Sequence, residues 1–345
     1  MKKKLLALVC ALVMIFSLAS CGLSTPDTVG KVGDFEVSSG LYLLAQFSAY
    51  QQAAQLAGTD QDATDVKAFL KETITTDADS GETAVVQDYV ADKTLETLRT
   101  FAAIDARFAE LGGELTAEQT QVADNYAQQL MDQYGSTYTA NGIGLETLKA
   151  FERIQLKHTL LLTLVYGPDG ESPVDDSDLT EHLDSQMYEL AYVNIPLYNT
   201  STFVFASDDQ KAQMLQLAQA AAASCSETQD GSVSEQVSAL HSAASAALPD
   251  IYAVLGSTPS DTNVQTELLG ASTLDSTFTQ DGAADTIRNL AYGQAAAVQY
   301  SSYAMMLALR VDPLSVASLD DLRDQVLTDM KTSELKTALS DSGAS

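Results

Sequence analysis

The chain has 345 residues and a formal net charge of −29 at pH 7, with 18 basic against 47 acidic side chains. Such an acidic surface excludes nucleic-acid binding by charge, because contacts to phosphates need lysine and arginine. Hydrophobic residues make up 46% of the sequence, as in a globular chain, and the length exceeds what one compact core usually holds, so we expect two or three domains.

The N-terminal residues predict export and a lipid anchor. The basic start MKKK precedes the apolar run LLALVCALVMIFSLAS, which has the layout of a secretory signal and is too short for a comfortable membrane span. The end of this run, LASC, resembles a bacterial lipobox. We therefore expect a signal peptide at residues 1–20 and a lipid anchor and tether at 21–28. The predicted location is extracytoplasmic, on a bacterial cell membrane, with the lipid on Cys21. An ordinary signal peptide cut before an incidental cysteine is the alternative.

This processing leaves one cysteine in the body of the protein. Cys10 departs with the signal and Cys21 carries lipid, so Cys225 has no intrachain partner. We expect neither a disulfide nor a CxxC zinc site. Cys225 is predicted to be a small buried side chain on an alanine-rich helix.

The segment after the tether predicts a small hairpin and a helix. VGKVGDFEVSSGLYLLAQF indicates two brief strands around Gly33-Asp34, then a helix that begins near Ser38 or Ser39. Residues 58–83 form a polar segment rich in aspartate and threonine. Within them, DADSG begins like a calcium loop but lacks the terminal glutamate of that motif, so a solvated loop is favoured.

Three amphipathic helices are predicted next. The first stops at Gly112-Gly113, where the helical spacing of apolar residues ends. TAEQ, beginning at Thr116, is a capping box that opens a second helix, which we expect to end near Gly135. The third helix is LETLKAFERIQLKHTLLLTLVY. Together with the opening segment they predict an all-α unit at residues 29–180.

A change of period marks the next domain. In MYELAYVNIPLYN the side chains alternate with a period of two, which predicts a strand. Ala191, Val193, Ile195 and Leu197 form one set, and Tyr192, Asn194, Pro196 and Tyr198 the other. The boundary is therefore expected between residues 175 and 185.

The remaining elements predict an α+β domain at residues 181–314. Residues 207–248 are expected to be helical with a break at Asp230-Gly231. Strands at TELLGAST and YAMMLALRV flank a short helix near residues 283–292. A final amphipathic helix, capped by Ser318, is placed at residues 315–340.

The order of these elements resembles the PrsA and SurA family of extracytoplasmic foldases. The matching segments are KVGDFEVSSGLYLL, AELGGELTAEQTQVADNYAQQL and YGPDGESPVDDSDLTEHLDSQMYELAYVNIPL. The resemblance covers most of the mature chain. It implies a mainly helical α+β fold, with a SurA-like helical chaperone domain, an inserted, divergent parvulin-like domain, and residues 315–340 packing back on the helical domain. The implied partners are unfolded or partly folded exported proteins.

The same resemblance points to a degenerate parvulin site. Parvulin catalysis uses two histidines that face each other across the sheet. The family's His-Ile-Leu strand matches Asn194-Ile195-Pro196, and its Gly-Tyr-His strand matches Ser302-Tyr303-Ala304. Asn194, Tyr303 and Ala304 thus stand at the site positions without either histidine. The resemblance therefore implies no catalytic residue and an inactive isomerase site.

No other chemistry is predicted. The sequence has no Gly-x-Ser-x-Gly elbow, HExxH motif or phosphate loop, and we expect no metal and no cofactor. Three histidines, each in a different predicted helix without a second ligand nearby, are expected to be structural: His158, His182 and His241. Three acid pairs are placed at helix starts, where they complement the helix dipole: Asp175-Asp176, Asp208-Asp209 and Asp320-Asp321.

Three functions remain open. The first hypothesis is a membrane-anchored, chaperone-like binder of exported chains, which needs apolar grooves and no reactive group. The second is an active prolyl isomerase, since a desolvating pocket lowers the barrier to amide rotation. It requires Asn194, Tyr303 and a polar residue of GSTPSD to converge on one pocket. The third is a structural or adhesive surface lipoprotein, which a fully polar helical surface would favour.

Overall fold

The structure, a computed structural model, describes residues 27–58, 65–78, 80–225, 230–259 and 263–343. The predicted signal peptide and Cys21 lie outside these residues. The chain forms two compact units. Unit 1 comprises Met1–Pro173 and Lys331–Ser345, and unit 2 comprises Val174–Met330. Helices dominate both units and each contains antiparallel strands, so the mainly helical α+β class is confirmed.

Unit 1 opens with the predicted hairpin. Strand β1 (Thr28–Val32) pairs with β2 (Phe35–Ser38) around Gly33, whose φ of +59° favours glycine. Helix α1 (Ser39–Leu56) begins where predicted, because the Ser38 hydroxyl accepts a hydrogen bond from the Leu41 N–H at 3.1 Å.

The polar segment that follows is more ordered than the sequence suggested. It contains a short helix, α2 (Val66–Phe69), and an antiparallel hairpin of β3 (Thr73–Asp77) and β4 (Glu82–Val85). The predicted DADSG loop is the turn between β3 and β4 in its described residues, whereas α2 and the two strands were not predicted. Phe69 and Ile74 are buried in a small core with α1 and the helix after β4, and two apolar side chains are too few to show a period.

Three long helices complete the first part of unit 1: α3 (Val86–Glu110), α4 (Ala117–Ala140) and α5 (Leu145–Tyr166). The predicted capping box at Thr116 is confirmed. The predicted end of α4 near Gly135 is wrong, because Gly135 keeps a helical backbone and the chain turns only at Gly142, where φ is +76°.

Unit 2 is built on a four-stranded antiparallel sheet in the order β6-β5-β8-β7. Its strands are β5 (Met187–Pro196), β6 (Gln265–Gly270), β7 (Ala295–Gln299) and β8 (Ala304–Val311). The predicted strand TELLGAST stops at Gly270, and β7 was not predicted. The helices of the unit are α6 (Asp176–Gln186), α7 (Asp208–Cys225), α8 (Val233–Ala253), α9 (Ala271–Thr277) and α10 (Ala283–Arg288).

The alternation predicted for β5 is confirmed. Ala191, Val193, Ile195 and Leu197 are buried in one core with α7 and α8. The opposite face of the sheet packs against α9 and α10 through Tyr188 and Leu190. The sheet therefore separates two apolar layers. Asn194 lies on the same face of the sheet as Tyr188 and Leu190.

The chain passes from unit 1 to unit 2 at Val174 and returns to unit 1 at Lys331. Helix α6 belongs to unit 2, and so do the residues of α11 (Leu319–Gly343) up to Met330. The rest of α11 belongs to unit 1, where the Tyr166 hydroxyl donates a hydrogen bond to Glu334 Oε1 at 3.2 Å. Among the described residues, no helix combines the length and apolarity that a membrane crossing requires.

Candidate functional site

The register of the sheet places two predicted site positions on one face. Asn194 on β5 lies opposite Met306 on β8, and Pro196 lies opposite Ala304. Because side chains two residues apart on a strand share a face, Asn194 and Ala304 both lie on the side that packs against α9 and α10. Asn194 is exposed, and Ala304 is only 4% exposed.

The tyrosine that contacts Asn194 is Tyr300, which the sequence analysis did not single out. The Tyr300 hydroxyl donates a hydrogen bond to Asn194 Oδ1 at 3.1 Å. Burial raises the pKa of Tyr300, so this hydroxyl stays protonated at neutral pH. Tyr303 is 54% exposed. The signal missed in the sequence is a second tyrosine, Tyr300, three residues before Tyr303. Both lie in the turn between β7 and β8, and Tyr300 reaches Asn194 across the sheet.

Aromatic and carboxylate groups complete this face. The rings of Phe278 and Tyr300 lie 5.6 Å apart. The Tyr192 hydroxyl donates to Glu267 Oε2 at 3.2 Å, and burial raises the pKa of Tyr192. These side chains can accept and donate hydrogen bonds and exclude water. None of them is an imidazole or a thiol that would exchange a proton near neutral pH.

The GSTPSD segment does not supply the third group in its described part. The Ser257 hydroxyl donates to the Tyr252 carbonyl at 3.3 Å. Tyr252 belongs to the core on the opposite face of the sheet, with Val193 and Ile195. Residues 260–262 lie outside the described residues. The convergence that an active isomerase requires is therefore not seen among the described residues.

The three histidines lie in three different helices. His182 Nε2 lies 2.7 Å from Asp329 Oδ2, and both side chains are largely buried. Burial lowers the pKa of His158 on α5, with Lys336 adding to the effect. His241 is exposed on α8. Among the described residues, no cluster of histidine, cysteine and carboxylate side chains is arranged to hold a metal ion.

The remaining predicted residues occupy structural positions. Cys225 is buried, its Sγ donates to the Ala221 carbonyl at 3.4 Å, and burial raises the pKa of its thiol, as expected for an inert core cysteine. The three acid pairs lie at or next to the first turns of α6, α7 and α11, as predicted.

A second candidate surface lies in unit 1. It is a cavity of about 470 Å³ beside α1, which we call the uncharged groove. Its lining residues are Leu43, Gln46, Phe47, Tyr50, Gln51, Val66, Leu70, Val90, Thr137 and Asn141. None of these described residues carries a charge, although the chain has 47 acidic side chains. Helix α1 itself contains no charged residue.

The groove combines apolar walls with hydrogen-bonding groups. Apolar side chains reach it from α1, α2 and α3, and the amides of Gln46, Gln51 and Asn141 lie among them. The Tyr50 hydroxyl is buried and has no hydrogen-bond partner among the described residues.

Aromatic rings extend the groove along α4. Phe47 contacts Tyr138 with ring centroids 6.5 Å apart, and Tyr138 contacts Tyr134 at the same distance. Tyr134 is exposed, as is Tyr126 two turns earlier on the same helix. Burial raises the pKa of Glu152 on α5, and burial also raises the pKa of Tyr138, with the charge of Glu152 adding to the rise. The surface next to the groove is thus aromatic with an acidic neighbour.

Comparison with known proteins gives a fold likeness only. No family model matches the chain, and no curated protein matches it. Among solved structures, the crystal structure of foldase protein PrsA from Streptococcus pneumoniae str. Canada MDR_19A is similar, with 14% sequence identity and a TM-score of 0.36. The match covers 76% of this chain and 88% of that chain. That protein is of the PrsA type, which the sequence motifs also resemble.

Proposed function

We propose that this protein is a membrane-anchored, extracytoplasmic chaperone-like binder that holds apolar segments of unfolded or partly folded exported chains. The uncharged groove beside α1 is the observation that carries the proposal. An unfolded chain offers apolar side chains together with unpaired backbone amides and carbonyls. The groove offers apolar walls together with side-chain amides.

Anchoring rests on the sequence. Cys21, within LASC, is the proposed lipid-bearing residue, and the first described residue is Asp27. Six residues span at most about 20 Å when fully extended. A lipidated Cys21 would therefore hold the start of β1 close to the membrane, where exported chains emerge. Cell fractionation of a Cys21→Ser variant tests this, since the variant should leave the membrane fraction.

A pair of matched variants tests the groove. Val66 lines it, is 50% exposed and begins α2 next to its cap Asp65. A carboxylate in the first turn of a helix is well tolerated, so Val66→Glu should fold normally. It places a charge among apolar walls, and we expect the Kd for an apolar peptide to rise at least tenfold.

The control is Val122→Glu on α4. Val122 is 60% exposed and does not line the groove. Fluorescence anisotropy of a labelled apolar peptide would give the Kd of each variant. If Val66→Glu binds as well as Val122→Glu and the unchanged protein, the groove is not the binding site. If none of the three binds, the structural or adhesive module becomes the better interpretation.

Prolyl isomerase activity is the second candidate. Asn194, Tyr300 and Ala304 lie on one sheet face, and the Tyr300 hydroxyl is bonded to Asn194. A pocket of tyrosines could lower the barrier to amide rotation by desolvation alone. Because neither expected histidine is present, we propose that this face binds chains without isomerising them. Acceleration of a proline-limited refolding step that Asn194→Ala abolishes would support the isomerase instead.

A further inference from the structure

A loop of unit 2 exposes three consecutive apolar side chains. Phe203, Val204 and Phe205 are 72%, 64% and 65% exposed. Singly exposed apolar residues are ordinary in soluble proteins, whereas an exposed apolar cluster marks a contact surface. We call the segment from Tyr198 to Phe205 the aromatic tip.

Hydrogen bonds hold the backbone of the tip. The Asn199 N–H donates to the Val204 carbonyl at 2.9 Å, and the Phe203 N–H donates to the Asn199 carbonyl at 2.7 Å. Asn199 Oδ1 accepts from the N–H groups of Ser201 and Thr202, each at 3.0 Å. The exposed rings are therefore presented by a loop with a defined conformation.

The tip keeps a phenylalanine where the backbone favours glycine. Phe203 has a φ of +56°, the only positive φ of a non-glycine residue in the part of the chain that the structure describes. This conformation costs free energy for a residue with a Cβ. Its ring stacks on Tyr198 at 6.2 Å, and Phe205 lies 5.8 Å from the same tyrosine. The stacking orients Phe203 but leaves most of its surface in water. The stability of the fold therefore does not explain why a phenylalanine occupies this position.

The shape and charge of the tip indicate what it contacts. Side chains this exposed do not enclose a small molecule, since small-molecule sites are concave. Residues 190–207 contain no charged side chain, in a chain whose net charge is −29. Beside the exposed rings lie an amide and three hydroxyl side chains: Asn199, Thr200, Ser201 and Thr202. Exposed aromatic rings next to uncharged polar groups suit the boundary between lipid headgroups and acyl chains.

We propose that the aromatic tip inserts into the interface of a lipid bilayer, independently of the lipid on Cys21. Insertion depends on the apolar side chains, because the tip has no charge to attract phosphate groups. The acidic remainder of the protein is repelled by anionic lipids. Binding to vesicles should therefore be strongest for phosphatidylcholine and should weaken as phosphatidylglycerol is added.

The absence of tryptophan from the chain provides a clean reporter. Phe203→Trp would place a single tryptophan at the tip. Tyr292→Trp is the matched control, because Tyr292 is an exposed aromatic residue beside Arg310, at the end of β8 away from the tip. Both variants are made in the mature chain with Cys21→Ser. With phosphatidylcholine vesicles we expect the Phe203→Trp emission to shift to the blue and to be quenched by brominated acyl chains, while the Tyr292→Trp emission does not change.

Several results would overturn the proposal. No shift of the Phe203→Trp emission with any vesicle composition excludes insertion of the tip. A shift produced by an unfolded apolar peptide, and not by vesicles, assigns the tip to a protein partner. Co-sedimentation with vesicles provides a second test that leaves Phe203 unchanged, since Phe205→Ser should reduce the bound fraction severalfold. Equal co-sedimentation of Phe205→Ser and the unchanged protein contradicts the proposal.

Discussion

At the scale of single residues, one glycine determines whether the buried His182–Asp329 pair can form. A Cβ at Gly270 would collide with the Asp329 carboxylate. The backbone of Gly270 has a φ of −75°, which any residue adopts. Only the side-chain contact therefore excludes alanine here.

We expect Gly270→Ala to displace Asp329 and lower the free energy of unfolding by about 1–3 kcal/mol, the usual cost of a lost, largely buried polar pair. Thermal unfolding measures this loss. Gly30→Ala is the control, since a Cβ at Gly30 meets no atom within 4 Å. An unfolding temperature for Gly270→Ala equal to that of Gly30→Ala would contradict this account of the pair.

Glu189 predicts a pH dependence of stability. Its side chain is buried in β5, and burial raises its pKa, with repulsion from Glu267 adding to the rise. A carboxyl group whose pKa is raised by folding stabilises the protein below its unfolded-state pKa and loses that contribution as the pH rises through the folded-state pKa.

Glu189→Gln should therefore raise the free energy of unfolding at pH 7 by roughly 1 kcal/mol. The gain should vanish below about pH 4.3, where the unfolded-state carboxyl is also protonated. Denaturant titrations from pH 4 to pH 8 measure it. Glu181→Gln on the exposed side of α6 should change nothing. A gain at pH 4 as large as that at pH 7 would show that charge is not the cause.

At the scale of elements, a glycine within α4 and a glycine just after its end have opposite roles. Gly135 is helical, and a Cβ there meets only the flexible Met131 side chain. Gly135→Ala should stabilise unit 1 by about 0.5–1 kcal/mol. Gly142→Ala should destabilise it by about 1 kcal/mol or more, because φ is +76° and Leu43 Cδ1 lies 3.0 Å from the added Cβ. Equal effects in denaturant unfolding would disprove this distinction.

Elements with strong local signals could be predicted from the sequence. The Thr116 capping box and the Ser38 cap fix helix starts through their own hydrogen bonds. The alternation along β5 reflects two layers packed on either side of the sheet. Such features depend on neighbours in the chain, so a pattern reveals them.

Elements that depend on tertiary pairing could not be predicted. Strand β7 reads AAAVQ, which favours a helix by propensity, and it is a strand because it pairs with β8. The β3–β4 hairpin depends on the burial of Ile74. The contact of Tyr300 with Asn194 joins residues 106 positions apart. The uncharged groove likewise combines residues from distant parts of the chain, so composition alone does not show it.

At the scale of the whole molecule, the net charge of −29 should influence which polypeptide chains the protein binds. An anionic surface around an uncharged groove attracts cationic chains. We expect an apolar peptide flanked by lysines to bind severalfold tighter than the same peptide flanked by glutamates. Anisotropy titrations at low and high salt measure this, and the difference should shrink as salt screens the charges. Equal affinities at low salt would contradict this selection.

The most direct test of the central claim is the refolding of a protein with a proline-limited slow phase, in the presence of residues 22–345. Rate and yield are recorded together. A chaperone-like binder without isomerase activity should raise the yield and leave the rate of the slow phase unchanged, and Val66→Glu should remove the gain in yield. A faster slow phase would contradict the proposal that the parvulin-like face is inactive, and an unchanged yield would contradict the proposed holding function.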